Sequence, residues 1–151
     1  MDALVSVAPL ASRWIERLLA THEPPLTLAQ FLALRAVEDE PVTAGELARR
    51  AGVSDAAVSQ LVSALEDARL IKRAREPDDR RRYTLALTPE GSSILRSANQ
   101  LVHSGLDALL ADLPRPEVDH LARLLEPVAA MLGGSPPPPR PPPPRPHHRR
   151  P

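Results

Sequence analysis

Residues 43–65 constrain the fold more than any other stretch of the chain. Thr43-Ala44-Gly45-Glu46 sets a hydroxyl residue three positions ahead of an acid. In that pattern side chains and backbone amides cap each other at a helix start. Leu47, Ala48 and Ala51 then form the inner face of a short helix, and Gly52-Val53 makes a tight turn. Ser54 caps a longer helix over residues 54–68, with Val58, Leu61, Val62 and Leu65 facing inward. A short helix, a glycine turn and a serine-capped second helix are the parts of a helix-turn-helix.

The texture changes after Leu65. Residues 70–75 and 82–87 read as two short strands, and Pro77-Asp78-Asp79 signals a turn between them. The segment 69–82 holds seven basic residues (Arg69, Lys72, Arg73, Arg75, Arg80, Arg81, Arg82) against three acidic ones. The whole chain has a formal net charge of zero, and residues 1–132 carry 15 basic and 19 acidic residues. A basic hairpin on an acidic body, directly after the second helix, reads as a wing able to meet phosphate.

Helices flank this unit. Leu4, Val7, Ala8, Ala11, Trp14, Ile15 and Leu18 recur at helical steps in residues 3–20, ended by Glu23-Pro24-Pro25. Thr27 with Gln30 predicts a further capping box, ahead of inward Phe31, Leu34 and Val37. Thr88-Pro89 predicts a helix to about Leu113, with Leu95, Ala98, Leu101, Val102, Leu109 and Leu113 inward. Pro114-Arg115-Pro116 breaks it, and residues 117–132 form a last helix with Val118, Leu121, Leu125, Val128 and Leu132 on one face. These long apolar faces suggest a two-fold dimer. The predicted architecture is mainly α with a small β-wing. It divides into an N-terminal dimerisation helix (1–25), a winged helix-turn-helix domain (26–88), C-terminal dimerisation helices (89–132) and a Pro/Arg-rich disordered tail (133–151).

Composition removes other classes. Without cysteine there are no disulfides and no thiolate metal sites, which fits a cytoplasmic protein. No run reaches the roughly 18 apolar residues of a membrane span, and charges at Arg13, Glu16 and Arg17 interrupt any signal-peptide pattern. His22, His103 and His120 lack metal-ligand spacing, and there is neither a glycine-rich phosphate loop nor a nucleophile elbow. The reading is therefore a non-enzyme with no cofactor and no metal.

Leu65-Glu66, Leu70-Ile71, Arg73, Asp79-Arg80-Arg81 and Leu87-Thr88-Pro89-Glu90-Gly91 together resemble the wing-to-helix signature of the MarR family of winged-helix transcriptional regulators. The order of elements agrees over residues 3–132. The resemblance implies a homodimer whose first, fifth and sixth helices form the dimerisation lobe. It also implies a repressor that releases DNA when a small molecule, often an anionic aromatic, binds between the lobes. The chain departs from the family at Arg69, where a glycine is common because a left-handed residue follows the helix. Either Arg69 adopts that conformation or the helix ends differently.

The expected partner is double-stranded DNA carrying a palindromic operator. Ala56, Ala57, Ser59, Gln60 and Ser63 form the outward face of the second helix; Gln60 suits adenine, the serines suit bases or phosphates, and an alanine methyl suits thymine. Arg80 and Arg81 are candidates for the minor groove, with Asp79 orienting Arg81, and Arg82 belongs to the same basic hairpin. Lys72, Arg73 and Arg75 are candidates for phosphate. Trp14 and Phe31 read as core residues, or with Arg13 and His22 as walls of an effector cleft. The competing class is a winged-helix dimer acting as a protein-interaction module, with the proline tail as its working part.

Overall fold

The computed structural model describes residues 2–38, 40–75 and 83–133. Among the described residues six helices and one hairpin follow in order: α1 (Asp2–Ala20), α2 (Leu28–Ala36), α3 (Ala44–Ala51), α4 (Asp55–Asp67), β1 (Ile71–Arg75), β2 (Tyr83–Leu87), α5 (Pro89–Leu109) and α6 (Arg115–Gly133). The capping boxes form as their spacing requires. Thr27 Oγ1 accepts from the Gln30 amide at 3.1 Å, and Gln30 Oε1 accepts from the Thr27 amide at 2.9 Å. Thr88 caps α5, with Pro89 in its first turn.

α2, α3 and α4 pack on one another, and α2 also packs on α1 and α5. The core lies among them and is almost wholly aliphatic: Leu19, Leu34, Leu47, Leu65 and Leu95 are fully buried. Of the three aromatic residues only Phe31 is buried; Trp14 is half-buried and Tyr83 exposed. α1 crosses α5 where Gly105 leaves a notch, since a β-carbon there would come within 2.6 Å of Leu18 Cδ1 and 3.1 Å of the Trp14 ring. Gly105, which weakens a helix intrinsically, therefore admits the Trp14 and Leu18 side chains.

β1 and β2 pair antiparallel with Ile71 opposite Leu87 and Arg75 opposite Tyr83. A bridge from Val42 to Leu85, with amide-to-carbonyl distances of 3.0 and 2.7 Å, adds a third edge that the sequence reading missed. It fastens the middle of β2 to the segment entering α3.

Three boundaries differ from expectation. α1 begins at Asp2. α5 stops at Leu109, not Leu113. α6 begins at Arg115, because Pro116 falls in a first helical turn, where its missing amide has no intrahelical partner to lose. Leu109, Leu113, Leu121, Leu125 and Val128, expected inward, are exposed, as are Val7, Ala8 and Ala11 on α1. Val5, Leu10, Leu106, Leu124 and Met131 add to this uncovered apolar surface.

Candidate nucleic-acid interface

α3 ends on Gly52, whose φ of 69° is left-handed, a region open to glycine without a Cβ penalty. The Val53 amide returns to the Ala48 carbonyl at 3.0 Å, and Ser54 then starts α4 with Oγ accepting from the Ala57 amide at 3.2 Å. Val58, Val62 and Leu65 are buried beneath α4. Ala56, Ala57, Ser59, Gln60 and Ser63 are all exposed on its other side, with Asp55 exposed in its first turn. A methyl, hydroxyl and amide surface of this kind has the size and donor pattern to read base edges in a major groove.

The start of α3 is fixed by Thr43 and Glu46. The Thr43 amide donates to Glu46 Oε2 at 2.9 Å, the Thr43 hydroxyl donates to the same oxygen at 3.1 Å, and the Glu46 amide donates to Thr43 Oγ1 at 3.3 Å. The Thr43 amide and then its hydroxyl hold the Glu46 carboxyl below its ordinary value of 4.5.

Lys72, Arg73 and Arg75 are exposed on β1. Arg73 differs from its strand neighbours. Its Nε donates to Glu66 Oε1 at 2.9 Å and its Nη2 to Glu66 Oε2 at 3.1 Å, while its guanidinium lies over the Tyr83 ring, 5.9 Å from the centroid. Ser59, Ser63 and Val62 of α4, Ala44 of α3, and Arg73, Tyr83 and Leu85 of the hairpin line one hollow of about 290 Å³. The structure thus brings two recognition-face serines and the hairpin together. Arg80, Arg81 and Arg82, with the proposed Asp79 contact, lie outside the described residues, as does the tail beyond residue 133.

α4 closes through Arg69, which takes φ 59°, the left-handed conformation considered for it. Its amide donates to the Glu66 carbonyl at 2.8 Å, and the Leu70 amide donates to the Leu65 carbonyl at 2.9 Å. α5 is fastened to this corner. Thr88 Oγ1 donates to the Arg69 carbonyl at 2.6 Å and accepts from the Gly91 amide at 2.9 Å, while the Thr88 amide donates to the Leu70 carbonyl at 3.1 Å. Gly91 is buried against Leu70, and a β-carbon there would sit 2.8 Å from the Leu70 carbonyl carbon and closer still to its oxygen. The signature Leu-Thr-Pro-Glu-Gly is therefore a backbone contact between the start of α5 and the corner where α4 becomes β1.

The proposed effector-cleft residues separate. Phe31 is core, with Arg35 over its ring. His22 is buried in the α1–α2 link, its Nδ1 2.7 Å from the Pro24 carbonyl and its Nε2 2.7 Å from Ser97 Oγ on α5. Trp14 and Arg13 line a mostly apolar hollow of about 380 Å³ with Val7, Leu10, Ala11, Arg17 and Leu109.

Known proteins with these features are numerous. The MarR family model matches residues 25–82. The chain is 30% identical over 106 residues to the HTH-type transcriptional repressor Rv2887 of Mycobacterium tuberculosis, spanning 70% of this chain and 76% of that protein. It is similar in structure to wild-type MarR from E. coli, with a TM-score of 0.72 at 26% identity, covering 85% of this chain and 96% of that one. It is also similar to the transcriptional repressor CouR bound to a 23-mer DNA duplex, with a TM-score of 0.71 at 30% identity, covering 84% of this chain and 89% of that one. Rv2887 has itself been solved in complex with p-aminosalicylic acid. The exposed α4 face, the hairpin beside it and these likenesses agree: the chain belongs to the MarR family of winged helix-turn-helix, DNA-binding transcriptional regulators.

Proposed function

We propose that the protein is a homodimeric repressor that reads a palindromic operator with one α4 helix per subunit and is released by a small aromatic acid. The observation that carries the reading is the exposed polar face of α4 lying against a basic two-stranded hairpin. Ala56, Ala57, Ser59, Gln60 and Ser63 meet bases in this reading. Lys72 and Arg75 meet phosphates, and Arg80, Arg81 and Arg82 extend toward the minor groove. The protein acts by binding and not by catalysis, in the cytoplasm where its DNA lies; no described helix is long and apolar enough to cross a membrane.

Uncovered surface supports the dimer. Val5, Leu10, Leu109, Leu121, Leu125 and Met131 stand exposed on α1, α5 and α6, and large apolar side chains left uncovered in this number favour an interface. A second copy covers it by two-fold symmetry. Beside that face, Trp14 between Arg13 and Arg17 offers an aromatic wall and two cations, the chemistry that holds an aromatic carboxylate.

Selection of bound duplexes from a random pool tests the reading. A palindrome with half-site centres about 10 base pairs apart is expected for this geometry. Benzoate or salicylate should lower affinity for the selected duplex. Recovery of no common sequence, or binding by a stable monomer, overturns the proposal.

A further inference from the structure

We infer that Glu66, Arg73 and Tyr83 form a clamp that sets the hairpin's angle to the recognition helix, so that Arg73 serves DNA binding as a positioning residue. The inference rests on the DNA-reading role proposed above and departs from the sequence expectation that Arg73 contacts phosphate.

Three observations carry it. Two of the three guanidinium nitrogens are spent on the two oxygens of one carboxylate, at 2.9 and 3.1 Å. Such a parallel fork fixes both direction and distance, which a single point-charge contact does not. Glu66 sits in the last turn of α4 and Arg73 in the middle of β1, so the fork joins the reading helix to the hairpin. Glu66 is also the less exposed partner, its side chain 27% accessible against 51% for Arg73, so the carboxylate is the anchored end.

Tyr83 completes the arrangement from the other strand. Arg73 pairs with Leu85 in the ladder, which makes Tyr83 its diagonal neighbour on the same face, and the guanidinium covers the ring. Among the described residues this is the one side-chain hydrogen-bonded tie between the two strands and the rest of the chain. The Val42–Leu85 bridge lies at the level of Arg73, and the contacts of Leu70 and Ile71 lie nearer the base. The chain beyond Arg73 carries Arg80–Arg82, and the DNA contacts proposed for them require an orientation that the body must supply. An isolated two-stranded hairpin is marginal in water and does not hold a fixed angle unaided.

The test uses the full chain and the duplex it selects from a random pool, with a random-sequence duplex alongside. Glu66→Gln keeps shape and removes the charge that fixes the fork; Arg73→Gln removes the fork itself. Each single variant is expected to lower affinity for the selected duplex about tenfold, with the salt slope unchanged and little effect on the random duplex. The double variant should be no weaker than either single. Exchanging the two residues, Glu66→Arg with Arg73→Glu, should restore most of the loss. Tyr83 is the only tyrosine in the chain, so its labelled ring signals report the clamp without DNA and should shift in Glu66→Gln. Thermal melts show whether lost affinity is lost fold. If Arg73→Gln melts early, Arg73→Lys, which keeps the charge without the fork, takes its place and should bind as weakly as Glu66→Gln.

A drop in salt slope of about one phosphate contact in Arg73→Gln, with native affinity in Glu66→Gln, makes Arg73 a phosphate ligand and overturns the clamp. Unmoved tyrosine signals in Glu66→Gln overturn it whether or not DNA binds. If the native chain selects no duplex, the DNA-reading role fails instead, a distinct result.

Discussion

Replacing Gly91 with alanine sets two physical effects against each other with opposite signs. Gly91 is the third residue of α5, and on helix propensity alone alanine there stabilises by up to about 1 kcal/mol. The contact with Leu70 points the other way. The added carbon would lie 2.8 Å from the Leu70 carbonyl carbon and nearer to its oxygen. A carbon and a carbonyl oxygen need roughly 3.3 Å, so one backbone must retreat by about 1 Å. Neither side is a flexible side chain: one is the first turn of α5, the other the corner where α4 becomes β1. Retreat stretches the bonds from Thr88 Oγ1 to Arg69 and from the Thr88 amide to Leu70, now 2.6 and 3.1 Å. Each is worth about 1 kcal/mol net, and the crowding adds about 1–3 kcal/mol. Against the propensity gain, the net is a destabilisation of roughly 2–4 kcal/mol. Urea unfolding should show a lower midpoint with the slope unchanged. Stability equal to or above that of the native chain would refute the reasoning, because propensity would then have outweighed the contact.

Arg69→Gly relieves a left-handed conformation that costs a non-glycine residue roughly 1 kcal/mol, and should raise stability by about 0.5–1 kcal/mol in the same urea assay; a fall would mean that Arg69 contributes more than its strain removes. Ser54→Ala removes the oxygen that accepts from the Ala57 amide and should lower stability by about 1 kcal/mol in a thermal melt, with weaker binding to the selected duplex as the start of α4 frays. Because folding lowers the Glu46 pKa, its contribution is fully present above the ordinary value of 4.5 and is lost as pH falls through the lowered one. Glu46→Gln, which still accepts from the Thr43 amide, should flatten the stability curve in that acid range; an unchanged acid limb would assign it to other carboxyls.

The parts of the fold written in local pattern were legible in the sequence. Thr27 with Gln30, Thr43 with Glu46, and Ser54 after Gly52 each specify a helix start through groups within a few residues of one another, and each forms. Arg69 was identifiable as the departure from a glycine position and takes the left-handed conformation that position requires. The end of α5 was not legible, because the apolar period continues through Leu110 and Leu113 after the helix has stopped. Periodicity marks an apolar face without saying what covers it, so residues of α1, α5 and α6 expected inward stand exposed on the single chain. The Val42 bridge has no local signature, since one residue pairing across the chain leaves no alternation to read. Charge counts found the basic hairpin but could not distinguish Arg73 from Lys72 and Arg75. Only its position opposite Glu66, across a helix-to-strand corner, separates them.

Trp14 lies in the notch at Gly105 with one side turned toward the uncovered apolar face and flanked by Arg13 and Arg17. Because it is the sole indole in the chain, its emission is an intrinsic optical gauge of the proposed dimer. Dilution that separates two copies must wet the ring and move its spectrum to the red, so a concentration series gives the association constant without any label.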